Sequence, residues 1–376
     1  MKNNFYKGRT FKINVLPIIF LTLFCFFNQF IYGENIEVRP ENIQFNWISG
    51  NANDALAICD DDGTLIQGPE WTRDGTNPPN CAYIMGQSAR QIQVQFFSPN
   101  YQGNMHLIIN LTISNGQGIG TVCNFFVPDY DGWNYIKLDL IGELPKYVGR
   151  HEFTWHWDIY AIPTEITSYC AAHTPTETTH IYYTLLAAPQ APVANPWTSV
   201  LDLACTWAAN NTTEPQVLSN ITTNAYSYFG QTKQYTGGLT HTNGTAFSLS
   251  TFLSGTTADC MDMSAVVQVF TWMLGGTQTR VLVINNKQPY VEDFHYKKIK
   301  PIGLDWDENK LWSFHQVGWL DNVYDACIML YNNARVPVNE AVNGSYKDDL
   351  YLDINDSINY PWRPKTSSVF YFGDVQ

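Results

Sequence analysis

Three residues in this 376-residue chain have the types and spacing for covalent chemistry: Cys260, His315 and Asp325. Cys260 heads the segment Ala258 to Leu274, where Met261, Ala265, Val266, Val269, Phe270 and Met273 recur at helical spacing and Gly275-Gly276 supplies a stop. A thiol in the first turn of a helix meets unpaired backbone N–H groups and the positive end of the helix dipole, which favour a thiolate. Its own N–H can face a developing oxyanion. His315 falls in the run LWSFHQVGWL and Asp325 in NVYDACIML, ten positions on, with Asp321-Asn322 between them as a hairpin turn. Antiparallel strands joined there bring imidazole and carboxylate near each other. A thiol, a base to take its proton and a carboxylate to orient that base are what acyl transfer needs, with neither metal nor cofactor. Each residue alone has a plainer role: core filling or a disulfide for Cys260, a structural histidine, a hairpin carboxylate. Their order carries the chemical reading. Asp259 and Asp262 flank the thiol, and their charge opposes the helix dipole.

The elements that must position these residues come in two blocks. From Glu34 to about Pro189 the runs QIQVQFF, MHLIINLTI, YIKLDLI, EFTWHWDIYAI and HIYYTLLAA alternate and are rich in β-branched and aromatic side chains, which predicts a β-sandwich over 34–188. The stretch APQAPVANP, with three prolines in nine residues, marks the boundary. After it the period turns helical. PWTSVLDLACTWAAN reads as a helix, a second is expected from Pro215 to Tyr228, and a third over Ala258 to Leu274, before the strands TRVLVIN, LWSFHQVGWL and NVYDACIML. The fold class is therefore α+β. The polar stretch Gly237 to Gly255 is the loop that would control access to Cys260.

In these motifs the chain resembles the transglutaminase-like superfamily of cysteine acyltransferases and proteases. The matching pieces are TTADCMDMSAVVQVFTWMLGG, RVLVI, FHQVGWL and NVYDACIML, in that order, within Pro196 to Leu330. The resemblance implies a papain-like α+β domain over 189–376 with a C-terminal extension, following an immunoglobulin-like β domain. It implies Cys260 as nucleophile, His315 as general base and Asp325 as the partner of His315. It also implies an upstream aromatic or amide side chain on the oxyanion, with Trp207, Tyr226, Tyr228 and Tyr235 all open. The reading is a secreted cysteine enzyme acting on a protein or peptide substrate through a thioester at Cys260, resolved by water or an amine. The alternative is a non-catalytic surface or adhesion protein whose β domain and aromatic loops bind glycan or protein.

Residues 1–33 read as a signal peptide: a basic start, the apolar run VLPIIFLTLFCFF and a small residue at Gly33. Thirteen apolar residues are short for a bilayer span, so no integral span is expected in the mature chain, which would be secreted, at the cell surface, or periplasmic in a bacterium. The leader carries four of the 21 bases, leaving 17 against 34 acids and a charge near −17. Such a chain is repelled by phosphate backbones, which argues against nucleic acid. Without Cys25 the mature chain has seven cysteines. Parity and domain placement predict Cys59–Cys81, Cys123–Cys170 and Cys205–Cys327, with Cys260 left over. His151 and His156 do not make an HExxH zinc motif, and Asp60-Asp61-Asp62-Gly63 lacks the later ligands of a calcium loop.

Overall fold

The computed structural model describes residues 39–45, 55–61, 63–66, 71–75, 80–87, 91–98, 105–113, 122–126, 132–140, 143–163, 172–238, 241–243, 245–285, 294–308, 311–312, 314–350 and 374–375. The leader 1–33 and Cys170 lie outside them, as does the side chain of Cys123. The chain is α+β.

Nine strands come first: β1 (Arg39–Gln44), β2 (Trp71–Thr72), β3 (Asn80–Ile84), β4 (Gln91–Ser98), β5 (Met105–Ile113), β6 (Val122–Phe126), β7 (Gly132–Asp139), β8 (Gly149–Pro163) and β9 (Ala172–Leu185). They form a four-stranded sheet ordered β2-β1-β4-β7 and a five-stranded sheet ordered β3-β9-β8-β5-β6. All pairings are antiparallel except β3 with β9. Alternation does what the sequence predicts. Ile92, Val94 and Phe96 of β4 are buried, and they share one core with Trp155, Trp157 and Ile159 of β8 in the other sheet. Phe96 meets Trp157 edge-on at 5.9 Å, so the aromatic richness of the runs goes into packing between the two sheets.

The other face of the five-stranded sheet is covered too. Ala82, Val148, Tyr183 and Leu185 belong to a second core with Val200, Leu201 and Ala204 of α1 (Thr198–Trp207). Asp202 on that helix accepts from Tyr183 Oη at 2.7 Å and from Arg150 Nε at 3.0 Å. Asp61 Oδ1, from the β half, takes the Ser199 N–H at 3.2 Å at the start of α1.

Around α1 the second half builds α2 (Glu214–Phe229), α3 (Leu249–Ser254) and α4 (Cys260–Met273). Short strands follow in chain order: β10 (Gln234–Tyr235), β11 (Thr242–Asn243), β12 (Ala246–Phe247), β13 (Thr257–Ala258), β14 (Arg280–Asn285), β15 (Phe294–His295), β16 (Ile299–Pro301), β17 (Leu311–Trp312), β18 (Phe314–Leu320), β19 (Asn322–Tyr324), β20 (Ile328–Leu330) and β21 (Val338–Glu340). The main sheet is β14-β18-β19-β21. Every residue of α4 except Met261 is buried, so this is a central helix, and its polar side chains find partners inside. Gln268 donates to Thr279 O at 3.0 Å, and Gln316 of β18 donates to Ser264 Oγ at 2.7 Å. Gly318 lets β18 approach this closely, since a Cβ there would stand 2.5 Å from Val267 Cγ1. The helix stops at Gly275, whose φ of 86° and contact with the Ala187 backbone admit no side chain.

The cysteines depart from expectation. Cys59, Cys81, Cys205, Cys260 and Cys327 are all thiols, so neither Cys59–Cys81 nor Cys205–Cys327 is formed. The reason is placement. Cys59 lies in the core shared with the helices and Cys81 in the core between the two large sheets. Cys205 sits beside Asp202 and Tyr183, whereas Cys327 sits beside Asp325 and Cys260. The Asp325 strand also breaks: β19 ends at Tyr324, and Asp325 Oδ1 accepts the Cys327 N–H at 2.9 Å in a local turn. Parity therefore does not single out Cys260.

One carboxylate ties the helical layer to the loop after α4. Glu214 in the first turn of α2 accepts from the N–H groups of Thr277, Gln278 and Thr279 at 3.0, 3.0 and 2.8 Å and from Thr279 Oγ1 at 2.6 Å. Glu214→Ala should lower the unfolding free energy by about 2 kcal/mol, the worth of losing hydrogen bonds to a charged group, with Glu214→Gln in between; urea denaturation measures it.

Candidate active site

Asp259 is the N-cap of α4. Its Oδ1 accepts the N–H groups of Met261 and Asp262 at 2.8 and 2.9 Å, and Asp262 Oδ2 returns the bond to the Asp259 N–H at 3.2 Å. This reciprocal capping box fixes where the helix starts and leaves the Cys260 N–H outside the cap. Asp262 Oδ1 further accepts the His241 N–H at 3.1 Å, which ties down the stretch before the helix. Gly237 to Gly255 is thus no bare loop. It holds β11, β12 and α3, and the buried ammonium of Lys233 donates to the carbonyls of Phe252 and Gly255 at its end. The acids beside the thiol have a structural task, and electrostatics registers it. Burial, then the nearby Asp262, pushes the Asp259 carboxyl up to about 7.

His315 and Asp325 face each other across the hairpin. Register pairs Gly318 with Tyr324 and Leu320 with Asn322, leaving Asp321 (φ 59°) as the turn residue. His315 Nε2 lies 2.7 Å from Asp325 Oδ2, with both side chains out of contact with water. A carboxylate only accepts, so Nε2 carries the proton. Asp325 Oδ2 also accepts from Tyr346 Oη at 2.7 Å. The indole of Trp312 stacks on the imidazole, with ring centres 4.5 Å apart and planes 21° apart.

The third member meets this pair from the helix end. Nδ1 of His315 is buried with no nitrogen or oxygen partner among the described residues, and the Cys260 thiol is the hydrogen-bonding neighbour of the ring on the side away from Asp325. Burial pulls the imidazole pKa down, but Asp325 and Cys260 together outweigh it and raise the pKa to about 10. Cys260, His315 and Asp325, taken from a helix start, a strand and a post-strand turn, meet in one buried cluster. Cys327, buried behind it, has its thiol pushed up by burial and by Asp325.

Among the upstream aromatics, geometry separates the four. Trp207 stacks on Phe270, beyond the middle of α4, and Tyr228 packs on Trp207 at the surface. Tyr226 Oη is occupied by Lys300 O at 3.0 Å. Tyr235 is different: β10 runs parallel to β13 and pairs it with Ala258, two residues before Cys260. Burial, then Cys327 and Cys260, raises its phenol pKa, which places it in the field of the thiol. The sequence motifs do not mark Tyr346 or Trp312 as site residues. Tyr346 lies past the last motif in a polar stretch, and the stacking of Trp312 on His315 has no signature in spacing.

The other sequence candidates have ordinary partners. His151 stacks on Tyr182 and bonds Thr184 Oγ1 at 2.8 Å, and burial holds its pKa down to about 4. His156 pairs with Glu177 across β8 and β9 at 2.7 Å. Asp60 Oδ1 accepts the Thr64 N–H in a turn. Among the described residues no group of three His, Cys, Asp or Glu side chains is placed to hold a metal. No described helix is long and apolar enough to cross a membrane. Compared with known family models and with curated proteins, the chain matches none.

The raised Asp259 value has a stability consequence. The folded state holds the Asp259 proton more tightly than the unfolded chain, whose value is near 3.8, so stability present below that value is lost as pH rises through about 7. Asp259→Asn keeps an acceptor for both N–H groups and cannot ionise. Its unfolding free energy, measured in urea from pH 4 to 8, should fall less steeply than that of the unsubstituted protein.

Proposed function

We propose that the chain is an exported transglutaminase-like cysteine enzyme that attacks an amide carbonyl of a protein or peptide. In this reading a β-sandwich of immunoglobulin-like type precedes a papain-like domain. The observation that carries it is the buried His315–Asp325 pair at 2.7 Å, set against a thiol at the first residue of a capped helix. A buried ion pair of this kind adds little to stability compared with an apolar pair, whereas an oriented base beside a thiol has an evident chemical use.

The steps follow from the atoms. His315, whose pKa is raised to about 10, holds the Cys260 proton on Nδ1 as an imidazolium, and Sγ attacks the carbonyl carbon as the thiolate of that pair. Asp325 stabilises this imidazolium and keeps Nε2 protonated, so that Nδ1 is the nitrogen offered to the thiol. Negative charge on the carbonyl oxygen is met by the Cys260 N–H at the head of α4 and by the Tyr235 hydroxyl. His315 then gives the proton to the departing amine, leaving an acyl thioester on Cys260. Water or a second amine, deprotonated by the same imidazole, releases the acyl group and restores the thiol. Trp312, covering one imidazole face, keeps water off the pair.

Cys260→Ala should abolish release or transfer of amide groups on a peptide mixture read by mass spectrometry, while the thermal melt stays cooperative. His315→Ala should lose about 10³-fold or more and Asp325→Asn somewhat less, because the asparagine misorients the base without removing it. Turnover retained in Cys260→Ala overturns the proposal.

A further inference from the structure

Past the hairpin the chain makes β21, a wide helical turn over Val342–Tyr346 and a short helix, α5 (Lys347–Leu350). All of this lies beyond Leu330, where the sequence motifs end. Tyr346 is fully buried, and its hydroxyl donates to the same oxygen of Asp325 that His315 Nε2 binds. The other carboxylate oxygen takes the Cys327 N–H. Two donors on Oδ2 and one on Oδ1 fix both the position and the plane of the carboxylate. With the phenol removed, Oδ2 keeps only the imidazole it is meant to orient. The segment carrying Tyr346 is clamped on both sides in sequence. Arg335 pairs with Glu340 and, at 2.7 Å, with Asp349. Ser345 Oγ donates to Glu340 Oε2 at 3.3 Å, Asn332 Nδ2 to Asp349 Oδ1 at 2.7 Å, and the Lys297 N–H to Leu350 O at 2.7 Å.

We propose that Tyr346 is a positioning residue that sets the Asp325 carboxylate for His315, and that the Arg335 clamp holds Tyr346 in place. The inference rests on the reading of Cys260, His315 and Asp325 as the catalytic group, and it extends that group to a segment after the hairpin. A tyrosine here for packing alone would need only its ring. The bond from its hydroxyl to the already engaged Oδ2 is what the proposal explains.

The test uses the full chain and the rate of Cys260 alkylation by iodoacetamide, read on the Cys260 peptide by mass spectrometry across pH 5 to 9. Tyr346→Phe should slow alkylation about tenfold near neutral pH and move the midpoint of the pH profile, because the imidazole is less well oriented toward the thiol. In an Asp325→Ala background the same change should have no effect beyond about twofold, since Tyr346 acts only through that carboxylate. An unchanged rate and pH profile, or equal slowing in both backgrounds, overturns the proposal. Should Tyr346→Phe lose its cooperative melt, Arg335→Gln loosens the clamp from the surface and should shift the profile in the same direction by a few fold; an unmoved profile there also overturns it. His315→Ala in the same assay separates the two levels. If it alkylates like the unsubstituted protein, the catalytic reading falls and takes the inference with it. If it slows while Tyr346→Phe does not, only the role of Tyr346 falls.

Discussion

The structure turns on keeping one carboxylate charged where no water reaches it. Asp325 and His315 are buried together, and a buried ion pair survives only when its remaining lone pairs and protons are also satisfied. Removing one partner of such a pair costs about 3–5 kcal/mol, so the surrounding chain is tightly constrained. The hairpin must turn at Asp321 and nowhere else, because a slip of one residue would carry His315 to the other face of the sheet. The strand must break at Asp325 so that the Cys327 N–H can turn back to Oδ1. A segment from beyond the hairpin must return with the Tyr346 hydroxyl.

The second fixed point is the start of α4, and the two are locked in register. Ser264 lies one turn beyond Cys260 and accepts from Gln316, the residue after His315. Gly318, two further along, allows the strand to lie against Val267. The thiol therefore meets the imidazole because a buried amide bond and a missing side chain set the helix against the strand. At the far end of α4, Glu214 holds the loop after the helix through its backbone N–H groups, so the helix is anchored at one end by its own N-cap carboxylate and at the other by a carboxylate from the first turn of α2.

Much of this was legible in the residues. Helical spacing placed α1, α2 and α4 to within a few residues of their observed bounds, and alternation located β4, β5, β7, β8 and β9, because amphipathic period is a local property. The nearness of His315 and Asp325 was legible for the same reason: a short hairpin turns a separation along the chain into one across a strand pair. The disulfides were not legible. Counting cysteines assumes that each finds another, and here Cys59 and Cys81, though both near the β half, are buried in different cores. Tyr235 was open among four aromatics because its place beside Cys260 comes from a parallel pairing of two-residue strands, which leaves no periodic trace. Tyr346 was invisible because its partner lies in another element and its neighbours are polar. By charge alone the acids at 259 and 262 oppose a thiolate, and the structure gives them the additional role of a capping box.

That dual role explains how charge is distributed around the sulfur. Three carboxyl groups stand near Cys260, a poor setting for a nucleophilic anion taken alone. Their geometry removes most of the conflict. The charge of Asp325 is spent on three donors, one of them the imidazole, which turns that carboxylate into support for a cation next to the thiol. Asp262 is spent on the N–H groups of Asp259 and His241. Asp259 is left closest to the helix head, and burial beside Asp262 raises its pKa to about 7, so it meets neutral pH only partly ionised. The cap then keeps its hydrogen bonds in either protonation state, since Oδ1 accepts in both, while the charge opposing the helix dipole is reduced. A helix start that must be both firmly capped and hospitable to a thiolate is reconciled by burying the cap.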